Sequence, residues 1–431
     1  DRVLLHQCWP RHYRRPAANR QPVNPMLTVP AAFDLESRNP QLAEWLRGYP
    51  DSVFNDSLYQ SIELMERYSI ALAIEVLDLL GAFANLAEWR SPDELCHVLL
   101  FQPRFAFALQ WLLSRVVETG CIESRMEDQR TSYRLRPENI TALNRHVSDR
   151  KALRALALKI DHANVATLDL LDHAASVYPS VARGEQGGDQ ALFDPGGVTL
   201  WLNYFNNANP TYAVNNSLGS IVAADRVSAK TKLRILELGA GSGSATEKLL
   251  DRLNECDLLS KIDKYIVTEP NAFFRRRAQR ELGPRYPNLA LEWGALDLNQ
   301  TWESQLGDEK FDLIYAVNVL HVAKDLLFTL NEARSVLAPD GWLTIGECVR
   351  PFPNQPMYPE LMFQILESFT DIKSDSEFRP NPGFLTAEQW RTAFARAGFG
   401  RVEVAPEIDR IREIYPHFFT GAICGQNTNS R

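Results

Sequence analysis

A glycine-rich turn between an apolar strand and a helix is the part of this sequence best suited to holding a small ligand. Leu233–Leu238 is apolar enough to form a strand buried on both faces of a parallel sheet, and Thr246–Leu253 follows a helical pattern. Glycines let a backbone approach a ligand closely, and a helix N-terminus offers free N–H groups. The segment predicts half of a βαβ unit that binds a nucleotide-like ligand through Gly239, Ala240, Gly241 and Gly243.

The residue types around this turn discriminate between kinds of nucleotide-like ligand. No Gly-Lys-Ser/Thr follows the glycines, and their G-x-G-x-G spacing departs from the G-x-G-x-x-G pattern of dinucleotide sites. Glu237, in the strand just before the turn, would repel a pyrophosphate and attract a sulfonium or an amino group. The resulting E-x-G-x-G-x-G pattern resembles motif I of class I methyltransferases. This resemblance implies S-adenosylmethionine (SAM) as cofactor and S-adenosylhomocysteine (SAH) as product.

Acidic residues follow the next two predicted strands. Lys264–Thr268 predicts a second strand, and Glu269 and Pro270 come directly after it. An acid at this position holds a ribose diol in Rossmann-like sites, so we assign both residues to the cofactor site. At the end of the third strand, the resemblance assigns Asp297 to the adenine amino group and Leu296 to the wall of the adenine pocket. The alternative is that either acid is only the polar end of a strand.

A histidine and a glutamate follow the fourth predicted strand and the fifth, which is expected over Trp342–Gly346. Ligands bind at the carboxyl ends of such strands, which places His321 and Glu347 on one edge of the sheet and Asn318 beside the cofactor. His321 would take a proton from the group to be methylated, and Glu347 would orient and stabilise the imidazole. Two alternatives stay open: His321 as a structural residue, and Glu347 paired with Arg350.

The stretch NVLHVAKDL…TLNEARSVLAPDGWLTIGE resembles the methyltransferase domains embedded in polyketide synthases. The resemblance covers about residues 196–425 and implies that His321 and Glu347 are the catalytic pair. It also implies an acyl chain carried by an acyl carrier protein as substrate, methylated at the α-carbon of a β-ketoacyl group or at a hydroxyl.

The segment after Glu347 differs from the carbon-methylating branch of these domains. That branch tends to be richer in Trp and Gly there, whereas this chain has Arg350-Pro351 and then the predicted helix ELMFQILESF. The difference favours O-methylation of a carrier-bound hydroxyl. The alternatives are C-methylation of a β-ketoacyl or malonyl-type α-carbon and O-methylation of a free small molecule.

Acceptor-binding residues are expected on both sides of the predicted sheet. Residues 196–224 are unusually rich in Asn and aromatic side chains, which predicts a polar roof over cofactor and substrate. The loop Arg379–Phe384 is placed to close over the acceptor. The candidate substrate residues are Tyr204, Tyr212, Asn215 and Arg350.

A chain of 431 residues is too long for one ordinary core. Residues 1–55 are rich in Pro, Arg and Asn and predict an extended arm or linker. Residues 56–195 predict a winged-helix-like module of helices and a small hairpin, with a helix start at Ser91, a helix over residues 150–177 and a loop over residues 184–195. This layout resembles the lid or dimerisation module before many small-molecule methyltransferase domains. Residues 196–425 predict an α/β, Rossmann-like, seven-stranded class I methyltransferase domain whose first part, 196–230, is a lid segment. A homodimer through the helical module is possible on this basis.

Composition argues against several other classes of protein. The net charge of −8 and the single basic residue, Arg115, in the predicted helix Phe105–Thr119 argue against nucleic-acid binding. We expect no membrane span, no disulfide framework and no metal site, because there is no long apolar run, no C-x-x-C pair and no third metal ligand beside His321 and Glu347. An NAD(P)-dependent oxidoreductase would leave those two residues unexplained. We expect a cytoplasmic domain, and the start at Asp1 suggests one cut from a larger polypeptide.

Overall fold

The computed structural model describes residues 40–127 and 130–428. A mainly helical N-terminal part precedes a mixed sheet of seven strands, which confirms the predicted fold class. Most of the predicted arm, residues 1–39, lies outside the described residues. Among those described, none of the helices is both long enough and apolar enough to cross a membrane.

Helices form most of the N-terminal part. The predicted helix start at Ser91 is confirmed, since Ser91 Oγ accepts a bond from the backbone N–H of Glu94, whose carboxylate accepts one from Ser91 N–H at 2.7 Å. The elements, in chain order, are α1 (Pro40–Leu46), α2 (Asp56–Leu79), α3 (Pro92–Val98), α4 (Ala106–Val117), β1 (Ile122–Glu127), β2 (Arg130–Leu135), α5 (Ile140–Ile160), α6 (Val165–Arg183), α7 (Gly188–Leu192), α8 (Pro195–Tyr204) and α9 (Pro210–Val227).

Two sequence-based expectations for this part differ from the structure. The helix expected over residues 150–177 is two helices, α5 and α6, because Asp161 is extended and its side chain accepts a bond from Ala163 N–H at 2.8 Å. The expected loop over residues 184–195 contains the short helix α7. Strands β1 and β2 form the expected antiparallel hairpin.

The large sheet has the strand order β5-β4-β3-β6-β7-β9-β8. Strand β9 runs antiparallel to both of its neighbours, and the pairs from β5 to β7 are parallel. The carboxyl ends of β3, β4, β6 and β7 therefore share one edge. The strands are β3 (Leu233–Leu238), β4 (Ile262–Thr268), β5 (Leu291–Gly294), β6 (Phe311–Val317), β7 (Leu337–Cys348), β8 (Gly400–Ala405) and β9 (Thr420–Gln426).

Helices connect these strands and cover the sheet. Helix α9, in the predicted lid segment, lies close against it: a Cβ on Gly346 would stand 2.8 Å from the carbonyl oxygen of Asn215. The helices after β3 are α10 (Ser244–Glu255), α11 (Ala272–Leu282), α12 (Glu303–Leu306), α13 (Leu326–Val336), α14 (Glu360–Phe363), α15 (Glu367–Thr370), α16 (Ala387–Arg396) and α17 (Ile408–Ile414).

The strand and helix expected around Glu347 also differ in their bounds. Strand β7 begins at Leu337 instead of Trp342, because Asp340 N–H donates to the carbonyl oxygen of Asn427 at 3.0 Å and extends the pairing with the C-terminal segment. The expected helix ELMFQILESF is broken into α14 and α15, since Leu366 adopts an extended conformation.

A buried ion pair joins the helical part to the segment after β7. Arg115 of α4 pairs with Glu66 of α2 and donates to the carbonyl oxygen of Pro356 at 3.2 Å. The Glu66 carboxylate also accepts a bond from Tyr358 N–H at 3.2 Å. Both members of the pair are almost completely buried. The segment after β7 is therefore held by the helical part through desolvated charges.

We predict that Arg115→Met destabilises the protein by about 3–5 kcal/mol, because it leaves the Glu66 carboxylate buried without its cation. Urea unfolding followed by circular dichroism measures this change. Arg183→Met, at an exposed arginine, is the matched control and should change the free energy of unfolding by less than about 0.5 kcal/mol. Equal effects of the two substitutions would contradict the role given to the buried pair.

Candidate active site

The glycine turn after β3 is open at its centre and tightly packed at both ends. Gly239, Gly241 and Gly243 all have positive φ, at 59°, 55° and 89°. A Cβ on Gly239 would meet Val319 at 2.7 Å, and one on Gly243 would meet Leu282 at 2.7 Å. A Cβ on Gly241 would meet nothing within 4 Å. The middle of the turn thus leaves room for a ligand to approach the backbone closely.

Glu237 is a buried acid with two hydroxyl partners. Tyr265 Oη donates to Glu237 Oε2 at 2.6 Å, and Thr246 Oγ1 donates to Oε1 at 3.0 Å. Burial raises the pKa of Glu237 to about 7, although these two hydrogen bonds favour the charged form. The carboxyl group therefore changes its charge near neutral pH.

Glu269 ties the end of β4 to the glycine turn. Its carboxylate accepts backbone bonds from Gly241 N–H at 2.9 Å and from Asn271 N–H at 2.7 Å, and burial raises its pKa. Pro270, next to it, is exposed, and Ala240 N–H donates to the carbonyl oxygen of Thr268 at 2.9 Å. The predicted role of Glu269 at a ribose stays a prediction.

Asp297 and Leu296 lie after β5, where the sequence places them. Asp297 is exposed and its Oδ1 accepts a bond from Asn299 N–H at 2.9 Å, while Leu296 is buried beside it. Both lie in the turn directly after the edge strand β5, the outermost parallel strand of the sheet. Their assignment to an adenine ring remains a prediction.

His321 and Glu347 form a buried pair at the carboxyl ends of β6 and β7. His321 Nδ1 lies 2.7 Å from Glu347 Oε2. Glu347 Oε1 accepts backbone bonds from Leu320 N–H at 2.9 Å and Val319 N–H at 3.2 Å. The alternative pairing of Glu347 with Arg350 is wrong, because Arg350 forms its ion pair with Glu360.

The imidazole of His321 has its second nitrogen available. With Nδ1–H donating to the Glu347 carboxylate, Nε2 carries the lone pair, and no hydrogen bond of the described residues involves it. The rings of Phe384 and Phe369 lie 4.7 Å and 6.0 Å from the imidazole centre. The loop Arg379–Phe384 therefore reaches the histidine, and the pair can act as a general base shielded from water.

Asparagines connect α9 to the same edge of the sheet. Asn318 has a φ of 54°, and its Oδ1 accepts bonds from Asn215 Nδ2 at 3.2 Å and from Cys348 N–H at 3.0 Å. The side-chain oxygens of Asn215 and Asn216 are buried without a partner in the described part of the chain. Two orphaned acceptors beside an open glycine turn and a buried acid fit a cationic, amino-bearing nucleoside such as SAM.

The remaining candidate residues contact either the start of α10 or the loop Arg379–Phe384. Tyr212 Oη is 3.4 Å from Ser244 Oγ, at the start of α10, and the Tyr204 ring packs against Tyr212 with centroids 5.4 Å apart. Arg350 lies next to the loop Arg379–Phe384, since a Cβ on Gly383 would meet its Nη2 at 3.1 Å.

Three residues of the site were missed by sequence reasoning or given no role there: Phe369, Asn216 and Arg379. Phe369 carries no sequence signal, since it lies in a segment expected to be one regular helix. Asn216 belongs to the Asn-rich segment, whose composition alone does not single it out.

In the described residues no group of three or more His, Cys, Asp or Glu side chains is arranged to hold a metal ion.

Comparisons with known proteins bear on the class of this domain. Residues 236–343 match the family model described as a methyltransferase domain. The highly reducing polyketide synthase ALT1 of Alternaria alternata is 27% identical over 80% of this chain, which spans only 12% of that synthase.

Two solved structures share the fold over nearly the whole chain. The CurJ carbon methyltransferase has a TM-score of 0.69 at 24% identity, covering 92% of this chain and 98% of that one. The DszA carbon methyltransferase has a TM-score of 0.66 at 23% identity, covering 93% and 99%.

The fold, the glycine turn and the family match together define a SAM-dependent methyltransferase of class I, with SAH as the product form of its cofactor. In particular, the chain resembles the methyltransferase domains embedded in polyketide synthases. The predicted class, cofactor and resemblance are confirmed.

We predict that SAM binds about tenfold more tightly at pH 8 than at pH 6, because Glu237 becomes a carboxylate near pH 7 and then attracts the cationic ligand. Isothermal titration calorimetry of the enzyme with SAM at the two pH values measures this. Glu237→Gln should bind SAM weakly at both. A wild-type affinity that does not change with pH would contradict the role of Glu237.

Proposed function

We propose that this domain methylates the α-carbon of a β-ketoacyl chain bound to an acyl carrier protein. The observation that carries the proposal is the His321–Glu347 pair, in which Nε2 of His321 is available and the rings of Phe369 and Phe384 lie beside the imidazole. The two structural neighbours, both carbon methyltransferases, support it, as does the similarity to polyketide synthases. The proposal replaces the O-methylation that we expected from the segment after Glu347.

The unusual sequence after Glu347 has a structural explanation that does not involve the acceptor. Glu360 accepts a bond from Trp111 Nε1 at 2.9 Å and pairs with Arg350, and Tyr178 Oη donates to the carbonyl oxygen of Leu361 at 2.7 Å. These residues connect the segment to α4 and α6. Its composition therefore reflects packing against the helical part and loses its weight as evidence for O-methylation.

The acidity of the acceptor also favours carbon. An α-carbon between a ketone and a thioester loses its proton far more readily than an isolated aliphatic hydroxyl. General-base catalysis works best when the strength of the base matches the proton to be removed, and a neutral imidazole matches the activated carbon better than the hydroxyl.

In the proposed reaction, His321 Nε2 takes the α-proton and the electron pair of the C–H bond passes into the enolate. Glu347 stabilises the resulting imidazolium through Nδ1–H, and Phe369 and Phe384 keep water away from the enolate. SAM, when bound, supplies the methyl group on a sulfonium that departs as a neutral thioether. The enzyme then mainly aligns the nucleophilic carbon in line with that methyl group.

Intact-protein mass spectrometry with carrier proteins bearing a β-ketoacyl or a β-hydroxyacyl chain tests this proposal directly. We expect a gain of one methyl group on the ketoacyl chain alone, and fragment ions should place it on the α-carbon. A gain on the hydroxyacyl chain alone would replace the proposal with O-methylation. No gain on either chain, with SAM binding retained, would point to a free small molecule as acceptor.

We predict that His321→Ala lowers the rate of methyl transfer by about 10²–10⁴-fold, because the general base is lost. Binding of SAH, followed by calorimetry, should stay unchanged, since the imidazole acts on the acceptor. Glu347→Gln should lower the rate as well, because an amide does not stabilise the imidazolium. Loss of SAH binding in His321→Ala would instead assign the histidine a structural role.

A further inference from the structure

Arg379, the first residue of the loop Arg379–Phe384, is buried and forms no ion pair with the described residues. Arg379 has no exposed surface. Its Nη1 and Nη2 donate to the carbonyl oxygens of Ala323 and His321, and its Nε is buried without a partner. No carboxylate of the described residues forms an ion pair with it, whereas the buried Arg115 and the partly buried Arg350 each have one. This guanidinium is an exception among the buried arginines.

Such an arrangement is costly, because a buried cation is normally compensated by an anion in contact with it. Burial lowers the pKa of Arg379 to about 10, so the group is still charged at neutral pH. The negative charges of Glu347 and Asp325 act on it from a distance and offset part of the cost. Packing alone does not explain why a charge that is so unfavourable to bury is kept in contact with the turn of His321.

The two carbonyl groups that Arg379 binds belong to the turn that carries the base. On the other side of this turn, the N–H groups of Val319 and Leu320 donate to Glu347. The turn is therefore held between a carboxylate on its N–H groups and a guanidinium on its carbonyl groups. Phe384, five residues after Arg379 in the same loop, then packs on the imidazole.

We propose that Arg379 is a positioning residue that fixes the turn of His321 and whose positive charge keeps the resting pair as a carboxylate and a neutral imidazole. The proposal rests on the role of His321 as the base in the function proposed above. A cation beside the turn disfavours a second positive charge on the imidazole in the resting enzyme. During the reaction, Glu347 and the enolate compensate the imidazolium that forms.

The charged groups around His321 define which substitutions are informative. Glu347 on β7 contacts the imidazole, and Asp325 at the start of α13 lies within reach of Arg379 and is paired with Lys373. Helix α15 and the loop Arg379–Phe384 present only the aromatic rings of Phe369 and Phe384 to the imidazole. The ion pair of Arg350 and Glu360 lies next to Gly383. Arg379 is therefore the cation whose removal changes the field at the base.

The test is the titration of His321, followed by NMR on enzyme labelled with ¹³C-histidine, with the resonance assigned through His321→Asn. In Arg379→Met and Arg379→Gln, the pH midpoint of this resonance should rise by about one unit, since a neutral neighbour no longer opposes protonation. Arg379→Lys keeps the charge and should keep the midpoint. It should lower the rate about tenfold, because an ammonium does not reproduce the two-pronged contact. The control Arg391→Met, at a partly exposed arginine, should leave the midpoint unchanged.

Two neutral variants are used because each could prevent folding for a different reason. Met removes a costly buried charge and Gln retains one donor for the carbonyl groups, so one folded variant is enough, and thermal melting identifies it. An unchanged midpoint in a folded neutral variant would overturn the proposal. The NMR titration needs no acceptor, so it tests the role of Arg379 independently of the reaction. A failure of the proposed function would instead be seen in the mass-spectrometry assay, as wild-type enzyme that does not methylate the β-ketoacyl chain.

Discussion

The candidate active site depends on one buried carboxylate, that of Glu347. Its two oxygens bind the imidazole of His321 and two successive backbone N–H groups of the turn after β6. A carboxylate with three donors is stable in a buried position, whereas an unpaired one would be protonated or unfold the turn. Glu347 therefore sets the conformation of the turn, the tautomer of the histidine and the direction of its free nitrogen together.

Adjacent strand ends make this arrangement possible. Strands β6 and β7 pair in parallel, so a residue after one and a residue at the end of the other meet at the same edge. The glycine turn after β3 and the acid after β4 reach that edge too, so the reaction proposed above has its cofactor and its base at one edge of the sheet. Helix α9 closes the edge through Asn215, whose amide bonds to Asn318.

The helical part supports the site from outside. Glu66 and Arg115 hold the segment that follows β7, and Glu360 in that segment connects Trp111 to Arg350. Gly383, in the loop Arg379–Phe384, packs directly against the Glu360 and Arg350 side chains. The position of the loop beside His321 thus depends on charges buried between the helical part and the sheet.

Local pattern was sufficient for the sheet and for the candidate catalytic pair. Periodicity and turn residues, which act between neighbours in the chain, predict the strand bounds Leu233–Leu238 and the glycine turn. They also place His321 after one parallel strand and Glu347 at the end of the next. Only the tertiary structure decided that Arg350 pairs with Glu360, that the helix after β7 is broken and that Arg379 binds the backbone carbonyl group of His321. These features depend on contacts between distant segments and on desolvation, and neither is encoded in local spacing.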